Sequence, residues 1–503
     1  MDFDSWKEQA RRLLDEVASV RRSCRREGKA QYLAWRPAIK RREFAVSACN
    51  FAQYLAFRRY NLQALQRRLM ALGLSSLGRS EGRVLSSLDA VSAALAAMAG
   101  DQDPAKTRRM PSERQFFRGE KRLAANAAAL FGPPANGRAG RILVTLGTEA
   151  ADDSSVIDQI VKHGADAVRI NCAHDNVARW EKMIEHVRAA ESHYGRRIGI
   201  LMDIAGPKVR TTDVAMPPDR NRLHIGDELL LCRTPREADG PPAFRTGCTL
   251  PAVFDHLNVG DPVSIDDGKL RGTIIRRIDD GFVIRIEEGL NKGIKLKAEK
   301  GLNFPNIDLG LDPLTDKDRS DLDFVVHHAG MIGFSFVRNA DDVSRLQIEL
   351  ASRRPDWQKL GIVAKIETPE AVSNLPEIIV QAAGHQPLAV MIARGDLAVE
   401  LGFERVAEMQ EEILWLCEAA QIPCIWATQV LEGLVAKGLA TRGEMTDAAM
   451  SARAECVMLN KGPNIMAGIS ALDRILRRMG ENQVKKTPTL RALQSWQNRQ
   501  PDS

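Results

Sequence analysis

From residue 141 onward, short apolar runs alternate with longer amphipathic stretches, and this alternation constrains the fold more than any other feature. The runs are rich in β-branched residues, and eight of them occur, at residues 142–147, 167–172, 199–204, 333–337, 362–367, 388–393, 424–429 and 456–460. Nearly continuous apolar strands separated by helices are typical of parallel strands buried on both faces. The pattern predicts an α/β fold, either a closed (β/α)8 TIM barrel or an open doubly wound sheet.

Polar residues at the ends of these runs favour the barrel. Lys365 and Glu367 end the fifth run, Asp396 follows the sixth, and Thr428 lies at the end of the seventh. In a closed barrel the carboxyl ends of all strands surround one mouth, where such folds build their sites. We therefore expect the polar residues to converge there.

The third strand-helix unit is interrupted by an all-β segment. Short strands separated by Gly, Asp and Pro turns are expected at residues 229–232, 262–265, 273–277 and 282–286. The segment predicts a small inserted β-barrel domain over residues 211–303, and the main barrel then covers 141–210 and 304–480. Because the insertion follows the carboxyl end of a strand, we expect it to act as a lid that excludes water.

The first 140 residues have a different character. Apolar residues recur at helical spacing at Phe51, Leu55, Leu62, Leu65, Leu69 and Leu72, and again at Val84, Leu88, Val91 and Leu95. The two stripes predict an antiparallel helical hairpin, and the breaker-rich stretch 131–140 predicts a linker. Residues 1–140 are therefore interpreted as an all-helical extension, and residues 481–503 as a carboxyl-terminal tail.

Charge is divided unevenly between these parts. Residues 1–140 carry 26 Lys and Arg against 13 Asp and Glu, whereas the rest of the chain has an excess of acidic residues. Such a split is compatible with nucleic acid or an acidic partner bound to the extension. A solvated arginine-rich helix face is the favoured alternative, because the arginines occur in pairs without interleaved aromatic residues.

Composition limits the class of protein. With 27% charged and 44% hydrophobic residues the chain is expected to be globular, with neither a membrane span nor a secretory signal in its sequence. Its eight cysteines show no Cys-x-x-Cys pair. Reduced thiols and a cytoplasmic location are the expectation.

Eight motifs follow one another in an order that resembles the pyruvate kinase family. They lie at residues 168–174, 202–211, 265–268, 300–305, 335–338, 364–367, 393–397 and 427–429, and they include Lys365-Ile366-Glu367 and Arg394-Gly395-Asp396-Leu397. The resemblance covers roughly residues 141–476. It implies phosphoryl transfer between phosphoenolpyruvate and ADP or another acceptor, through a metal-stabilised pyruvate enolate, in glycolysis.

The resemblance also implies roles for individual residues at the mouth. Lys365 and Arg169 would balance charge on the phosphoryl group, and Thr428 would lie beside the carbon that gains a proton. Glu367 and Asp396 would hold Mg²⁺ or Mn²⁺, for which paired carboxylates are suitable hard ligands. The residues implied to contact the substrate are Ala393, Arg394, Gly395, Asp396 and Ser335. The residues implied to contact the nucleotide are Asn171, His174, Arg210 and Lys300.

Three departures from the family pattern change these expectations. Lys208 stands where a glutamate is common, and Ala173 replaces a serine, so we predict that Lys208, with Asn171 and Asp203, substitutes for a bound K⁺ and that K⁺ is not required. After the eighth run, Asn460-Lys461-Gly462-Pro463 stands where the family has Ser-Gly-Glu-Thr. The family's carboxyl-terminal effector domain has no counterpart here, so assembly into a homo-oligomer is expected to involve the helical extension.

Three functional hypotheses remain. The favoured one is a pyruvate kinase-like phosphotransferase that acts on phosphoenolpyruvate or pyruvate and on ADP or ATP. A catalytically weak relative would instead serve as a metabolite sensor or scaffold through its basic extension. A metal-dependent lyase that forms pyruvate enolate would account for the carboxylates but not for the lid.

Overall fold

The structure is a computed structural model that describes residues 3–101, 109–233, 242–305 and 307–488. Its helices in chain order are α1 Phe3–Trp35, α2 Arg42–Arg58, α3 Gln63–Ala71, α4 Val84–Ala99, α5 Glu113–Phe116, α6 Arg118–Phe131, α7 Glu149–Asp152, α8 Ser154–Lys162, α9 Val177–Tyr194, α10 Asp316–His328, α11 Ala340–Arg353, α12 Pro369–Ser373, α13 Leu375–His385, α14 Arg394–Leu401, α15 Phe403–Ala420, α16 Glu432–Lys437, α17 Arg442–Ser451 and α18 Ile465–Asn482.

The strands form a barrel, a second sheet and a terminal hairpin. In chain order they are β1 Arg141–Thr145, β2 Ala167–Asn171, β3 Gly199–Ile204, β4 Thr211–Ala215, β5 Glu228–Cys232, β6 Phe244–Cys248, β7 Pro262–Ile265, β8 Leu270–Ile278, β9 Gly281–Glu288, β10 Leu302–Asn303, β11 Met331–Phe334, β12 Gly361–Ile366, β13 Leu388–Ala393, β14 Cys424–Ala427, β15 Cys456–Leu459, β16 Gln483–Val484 and β17 Thr487–Pro488.

Eight parallel strands close into the predicted barrel, in the order β1-β15-β14-β13-β12-β11-β3-β2, and an open sheet is thereby excluded. The fourth and seventh predicted strands, 333–337 and 424–429, extend further than the observed strands β11 and β14. Phe336 and Thr428 have positive φ angles of 54° and 62°, so β11 and β14 end before them. Non-glycine residues adopt this left-handed backbone only rarely, and here it turns the chain at the barrel mouth.

The barrel interior is filled by side chains and is closed at its base by α6. Leu130 and Phe131 at the end of α6 belong to the same buried cluster as the inward-facing residues of the strands, including Leu143, Leu201 and Met391. Phe131 is fully buried. The base is therefore a packed apolar plug, whereas the opposite end is open.

The extension and the barrel contact each other extensively across the predicted boundary at residue 140. The predicted linker carries Arg138, whose buried guanidinium pairs with Asp166 and Asp473 of the barrel. Buried side chains of α1, α2 and α4 also form one continuous cluster with the outer faces of the barrel helices. The extension and the barrel thus share a hydrophobic core.

The single helical stripe predicted over residues 51–72 is divided between α2 and α3. Helix α2 ends at Arg58, and the chain turns at residues 59–62 before α3 begins. In this turn the Asn61 side chain accepts a hydrogen bond from the backbone N–H of Gln63. The second stripe forms α4, and the long helix α1, absent from the sequence-based interpretation, packs against both α2 and α4.

One helical stretch, Glu81–Ala99, is long and apolar enough to cross a membrane by length and composition alone. This is weak support for a span, because core helices of soluble proteins meet the same criterion. Here 44% of the apolar window is buried inside the protein.

The insertion forms a sheet of seven strands in the order β10-β7-β8-β9-β5-β6-β4. Its end strands are joined at their base by an antiparallel bridge between Arg210 and Gly301. The sheet encloses its own apolar core, which includes Leu229, Phe282 and Ile284. The insertion is therefore a separately packed unit attached through two chain crossings.

The predicted tail begins inside the last helix. Helix α18 continues to Asn482, and residues 483–488 form the hairpin of β16 and β17. Lys485 in this hairpin pairs with Glu455. The rest of the predicted tail, 489–503, lies outside the described residues.

Candidate active site

The carboxyl ends of the barrel strands surround a cleft with a volume of about 180 Å³. Most of the residues predicted from the sequence line it, namely Arg169, Asn171, Asp203, Lys208, Arg210, Ser335, Lys365, Glu367, Ala393, Asp396 and Thr428. The other predicted residues, His174, Lys300, Arg394 and Gly395, lie outside that lining. The expected convergence at the barrel mouth is thus found for most of the set.

Lys365 occupies the centre of a polar network on β12. Its Nζ lies 2.7 Å from Ser335 Oγ, 3.1 Å from Glu367 Oε1 and 3.5 Å from Asp203 Oδ2. Arg169 on β2 binds Asp203 from the other side, with 2.7 Å between Nε and Oδ2. Alternation along β12 places Lys365 and Glu367 on the same face, as their spacing predicts.

Opposing effects set the protonation of this network. Burial opposes the charged form of Lys365, but Asp203 and Glu367 outweigh it and hold the pKa of Lys365 above its ordinary value. Burial likewise opposes ionisation of Asp203, but Lys365 and Arg169 outweigh it and hold the pKa of Asp203 below its ordinary value. The lysine is therefore a cation and the aspartate an anion at neutral pH.

Glu367 and Asp396 form a carboxylate pair at the ends of neighbouring strands. Glu367 is buried, and its Oε2 accepts a hydrogen bond of 2.7 Å from the backbone N–H of Phe336. Burial raises the pKa of Glu367, with a further contribution from Asp396, whereas Lys365 opposes the shift. Two hard, closely spaced oxygen donors that repel each other fit a divalent cation that neutralises both.

The donor set supplies only part of a coordination sphere. Among the described residues no group of three or more His, Cys, Asp or Glu side chains is arranged to hold a metal. Mg²⁺ is typically bound by one or two carboxylates together with substrate oxygens and water. The pair therefore fits Mg²⁺ or Mn²⁺ that is completed by substrate rather than enclosed by protein.

Lys208 lies on the metal side of the cleft. Its Nζ is 2.7 Å from Asp396 Oδ1, whereas the ionic partners of Asp203 are Arg169 and Lys365. Lys208 thus contacts Asp396 and shares the cleft lining with Asn171 and Asp203, and its predicted role with them as a substitute for K⁺ stays a prediction. The lysine stem extends the ammonium to the carboxylate of Asp396.

Thr428 is held by the start of α14. Its Oγ1 accepts a hydrogen bond of 2.9 Å from the backbone N–H of Gly395, so this N–H is directed at the threonine rather than into the cleft. Arg394 points away, because it pairs with Asp447 and donates to the Ala427 carbonyl oxygen at 3.0 Å. The Arg394 side chain thus anchors the turn, and the predicted contact of the turn with substrate stays a prediction.

The four residues predicted for nucleotide binding are only partly brought together. Asn171 and Arg210 line the cleft, but Arg210 Nη1 also donates to the carbonyl oxygen of Glu299 at 3.0 Å. Lys300 pairs with Asp266 of the insertion at 2.9 Å. His174 lies at the exposed rim, where partial burial and the nearby cations Lys461 and Arg210 lower its pKa.

Lys461 is a residue of this rim that the sequence-based assignment missed. It belongs to the loop after β15, whose neighbour Asn460 lines the cleft. Its effect on the pKa of His174 shows that its charge reaches the predicted nucleotide side. The sequence signal for Lys461 is the departure of the Asn460-Lys461-Gly462 loop from the family pattern. From the sequence alone, this departure is interpreted as the loss of the family's residues and not as the gain of a cation.

Fold and site together define the class of protein. A TIM barrel with an inserted β domain carries, at its mouth, two carboxylates suited to a divalent cation and several cations suited to phosphate. A profile described as "Pyruvate kinase, barrel domain" matches residues 137–464. The chain belongs to the pyruvate kinase family.

Curated relatives agree with this assignment. The chain is 33% identical to "Pyruvate kinase" of Lactobacillus delbrueckii subsp. bulgaricus over 61% of its length and 50% of that protein. It is 30% identical to "Pyruvate kinase" of Hypocrea jecorina over 67% and 61% of the two chains. The match to "Pyruvate kinase" of Mycobacterium intracellulare, 30% identical, covers 70% and 72%. The chain thus spans about half to three quarters of the length of these relatives.

Proposed function

We propose that the protein transfers the phosphoryl group of phosphoenolpyruvate to ADP, or to another acceptor, and releases pyruvate. The contact network of Lys365 with Asp203, Glu367 and Ser335 is the observation that carries the proposal. It fixes a cation beside the predicted metal carboxylates, where a transferring phosphoryl group needs positive charge. The names of the curated relatives support the same reaction.

In this reaction the bond between the enol oxygen and phosphorus breaks, and a bond forms between phosphorus and an oxygen of the acceptor. The electron pair stays on the enol oxygen, and the resulting enolate then takes up a proton at carbon. Lys365 and Arg169 offset the charge on the phosphoryl group and on the enolate oxygen. Asp203 holds both cations in place without being consumed, because it bonds to each of them.

Glu367 and Asp396 would hold the divalent cation, which would supply concentrated positive charge for substrate oxygens. Ionised Glu367 is costly in its buried position, and its pKa is accordingly raised. Lys208 and Lys365 reduce that cost from the two sides of the pair. The protein therefore positions the carboxylates in advance and stabilises them with its own cations.

Thr428 is oriented for the protonation of carbon. Since its Oγ1 accepts from the Gly395 N–H, the hydroxyl hydrogen remains available to be donated. A hydroxyl is a weak acid and transfers a proton by relaying it from another donor. We assign Thr428 the last position of such a relay.

We further propose that Lys208 removes the need for K⁺. Its ammonium lies against Asp396 and so adds a fixed positive charge at the edge of the metal site. A covalently attached cation is present at all ionic compositions, unlike a bound ion. Lys208→Gln is expected to lower turnover and to make it responsive to added K⁺, whereas the unaltered protein should respond less than about twofold.

The first experiment measures pyruvate release from phosphoenolpyruvate and ADP with Mg²⁺, with and without K⁺. Lys365→Ala should lose about 10²- to 10³-fold in turnover, as expected when a preorganised charge is removed. Lys359→Ala is the matched control, because this lysine is exposed on the outside of the barrel. Equal turnover in the two variants would contradict the proposal.

The assay also separates the alternatives. A sensor or scaffold would release no pyruvate but would still be stabilised by phosphoenolpyruvate against heat. A lyase would release pyruvate from a longer oxo acid without ADP. For the cell, we propose a cytoplasmic, homo-oligomeric enzyme of glycolysis, in accord with eight unpaired cysteines. An acidic partner of the extension is the least supported of these proposals.

A further inference from the structure

A second cavity lies between the helical extension and the barrel, well separated from the cleft by its lining. Its volume is about 420 Å³, larger than that of the cleft. Residues of α2, of α3 and of the turn before α4 form one side, and Trp415 of α15 and Lys486 form the other. No residue of the proposed mechanism contributes to this cavity.

Two cations face the same aromatic ring in this cavity. The Arg58 guanidinium lies 4.7 Å from the Trp415 ring centre, and Lys486 Nζ lies 4.6 Å from it. Arg58 Nη1 also donates to Tyr54 Oη at 2.7 Å, and Lys486 pairs with Glu81. The charged side chains of the lining are thus two cations and one anion. This balance favours an anionic occupant.

Two buried polar atoms of the lining have no hydrogen-bond partner within the described part of the chain. They are Oε2 of Glu81, whose residue is 2% exposed, and Nε1 of Trp415. An unsatisfied buried acceptor or donor is costly, and native proteins seldom keep one without a ligand or water. One atom accepts and the other donates, so an occupant must offer both kinds of partner.

The remaining lining indicates the chemistry of the occupant. Asn61, Gln63 and Gln66 contribute carboxamides at one side, and Tyr54 contributes a phenol whose pKa is raised by burial and by Glu81. The phenol therefore stays protonated. Amides and neutral hydroxyls bind hydroxyl groups well, whereas a purely apolar molecule would leave Glu81 Oε2 and Trp415 Nε1 without a partner.

We propose that this cavity binds a small hydroxylated organic anion. Its phosphate or carboxylate would lie against Arg58 and Lys486, beside the indole N–H of Trp415, and its hydroxyl groups would donate to Glu81. The site is independent of the proposed phosphotransferase activity, because it shares no residue with the cleft.

The test uses three six-carbon probes that differ only at one end. Sorbitol 1-phosphate carries a phosphate at C1, gluconate carries a carboxylate at C1, and sorbitol is neutral. Binding to the intact protein is measured by titration calorimetry at constant ionic strength, with the active site saturated by phosphoenolpyruvate and Mg²⁺. We expect binding of at least one anion and none of sorbitol, and the tighter anion identifies the group that the site prefers.

A pair of neighbouring arginines provides the matched variants. Arg58→Gln should weaken binding of the anion by about tenfold or more, as expected for loss of a charge-assisted contact. Arg59→Gln makes the same change in net charge outside the lining, where Arg59 approaches Glu27 at 3.8 Å, and should leave binding within about twofold of the original. Both arginines are exposed, so both variants should fold.

Trp415→Phe keeps an aromatic face but removes the N–H donor. We expect weaker binding of the anion, with the same thermal unfolding temperature in the absence of the probe. The proposal is overturned if no anion binds at millimolar concentration, if sorbitol binds as well as the anions, or if Arg58→Gln and Arg59→Gln have equal affinities. The same thermal unfolding curves show directly whether a variant has failed to fold.

Discussion

The two ends of the barrel both hold buried charges, but they use them differently. At the base, Arg138 is fully buried, pairs with Asp166 and Asp473, and also donates to the Gly140 carbonyl oxygen at 3.0 Å. At the mouth, Lys365 is 12% exposed and faces a cleft while it contacts Asp203 and Glu367. At the base the Arg138 guanidinium bonds to groups of the protein, whereas the mouth keeps charged groups facing free space.

The difference separates a structural use of charge from a chemical one. A buried ion pair costs desolvation, and removal of one partner leaves the other charge uncompensated. At the base nothing but the protein can compensate such a charge. At the mouth, water and substrate can, so the same kind of substitution should affect turnover more than folding.

The largest effect is expected at the base. Arg138→Met should lower the free energy of unfolding by about 3–5 kcal/mol, because Asp166 and Asp473 would lose the buried cation that they share and would keep only the less buried Arg196 and Arg477. The control is Arg477→Gln, since Arg477 also pairs with Asp473 but is 49% exposed. Urea unfolding measures both variants, and equal losses would mean that the base is not a structural charge cluster. Turnover per folded molecule should be unchanged in each.

The second prediction concerns Lys365→Ala at the mouth. Its turnover should fall by about 10²- to 10³-fold, while its unfolding free energy should fall by less than that of Arg138→Met. Asp203 keeps both contacts from Arg169, at 2.7 and 2.6 Å, so its charge is still compensated. A Lys365→Ala protein that unfolds as readily as Arg138→Met would remove the distinction between the two ends.

The third prediction tests the mouth by pH. The pKa of Asp203 is lowered in the folded state, so its contribution to stability is present above its unfolded pKa of about 3.9 and is lost as the pH falls through the folded pKa. Asp203→Asn should therefore cost about 2 kcal/mol at neutral pH, and the difference from the unaltered protein should shrink on acidification. Asp279→Asn, at an exposed turn of the inserted β domain, should leave the free energy of unfolding nearly unchanged. A constant difference for Asp203→Asn would exclude the proposed charge balance.

Much of the barrel could be predicted from the sequence, because burial on both faces leaves continuous apolar runs that are easily read. The ends of two strands could not be predicted in this way, because Phe336 and Thr428 turn the chain through backbone angles that side-chain hydrophobicity does not report. Helix α6 lies within the predicted extension but plugs the barrel base, because this packing depends on contacts distant in sequence. The ion pairs of Arg138 in the predicted linker depend on contacts of the same distant kind.

The site was predicted well where it rests on strand alternation and less well where it rests on long side chains. Lys365 and Glu367 are two residues apart on one strand, so their shared face follows from the sequence. Lys208 and Arg394 have long stems whose direction is decided by packing, and they contact Asp396 and Asp447, respectively. The second cavity could not be foreseen at all, because it is formed where residues from four separate helical segments meet Lys486.

The smallest predicted effect concerns the rim of the mouth, where Lys461 adds a cation near the cleft. Partial burial lowers the pKa of His174, and Lys461 and Arg210 lower it further. Lys461→Gln should therefore raise the pKa of His174, measured by NMR titration of the imidazole protons. Lys437→Gln, an exposed lysine at the end of α16, should leave it unchanged. Under the proposed function the nucleotide lies on the side of the cleft where Lys461 acts, so Lys461→Gln should also weaken ADP binding, whereas binding of phosphoenolpyruvate, which is assigned to Lys365 and Arg169, should be unchanged. An unchanged His174 titration would place Lys461 outside the site and leave the altered loop without a part in acceptor binding.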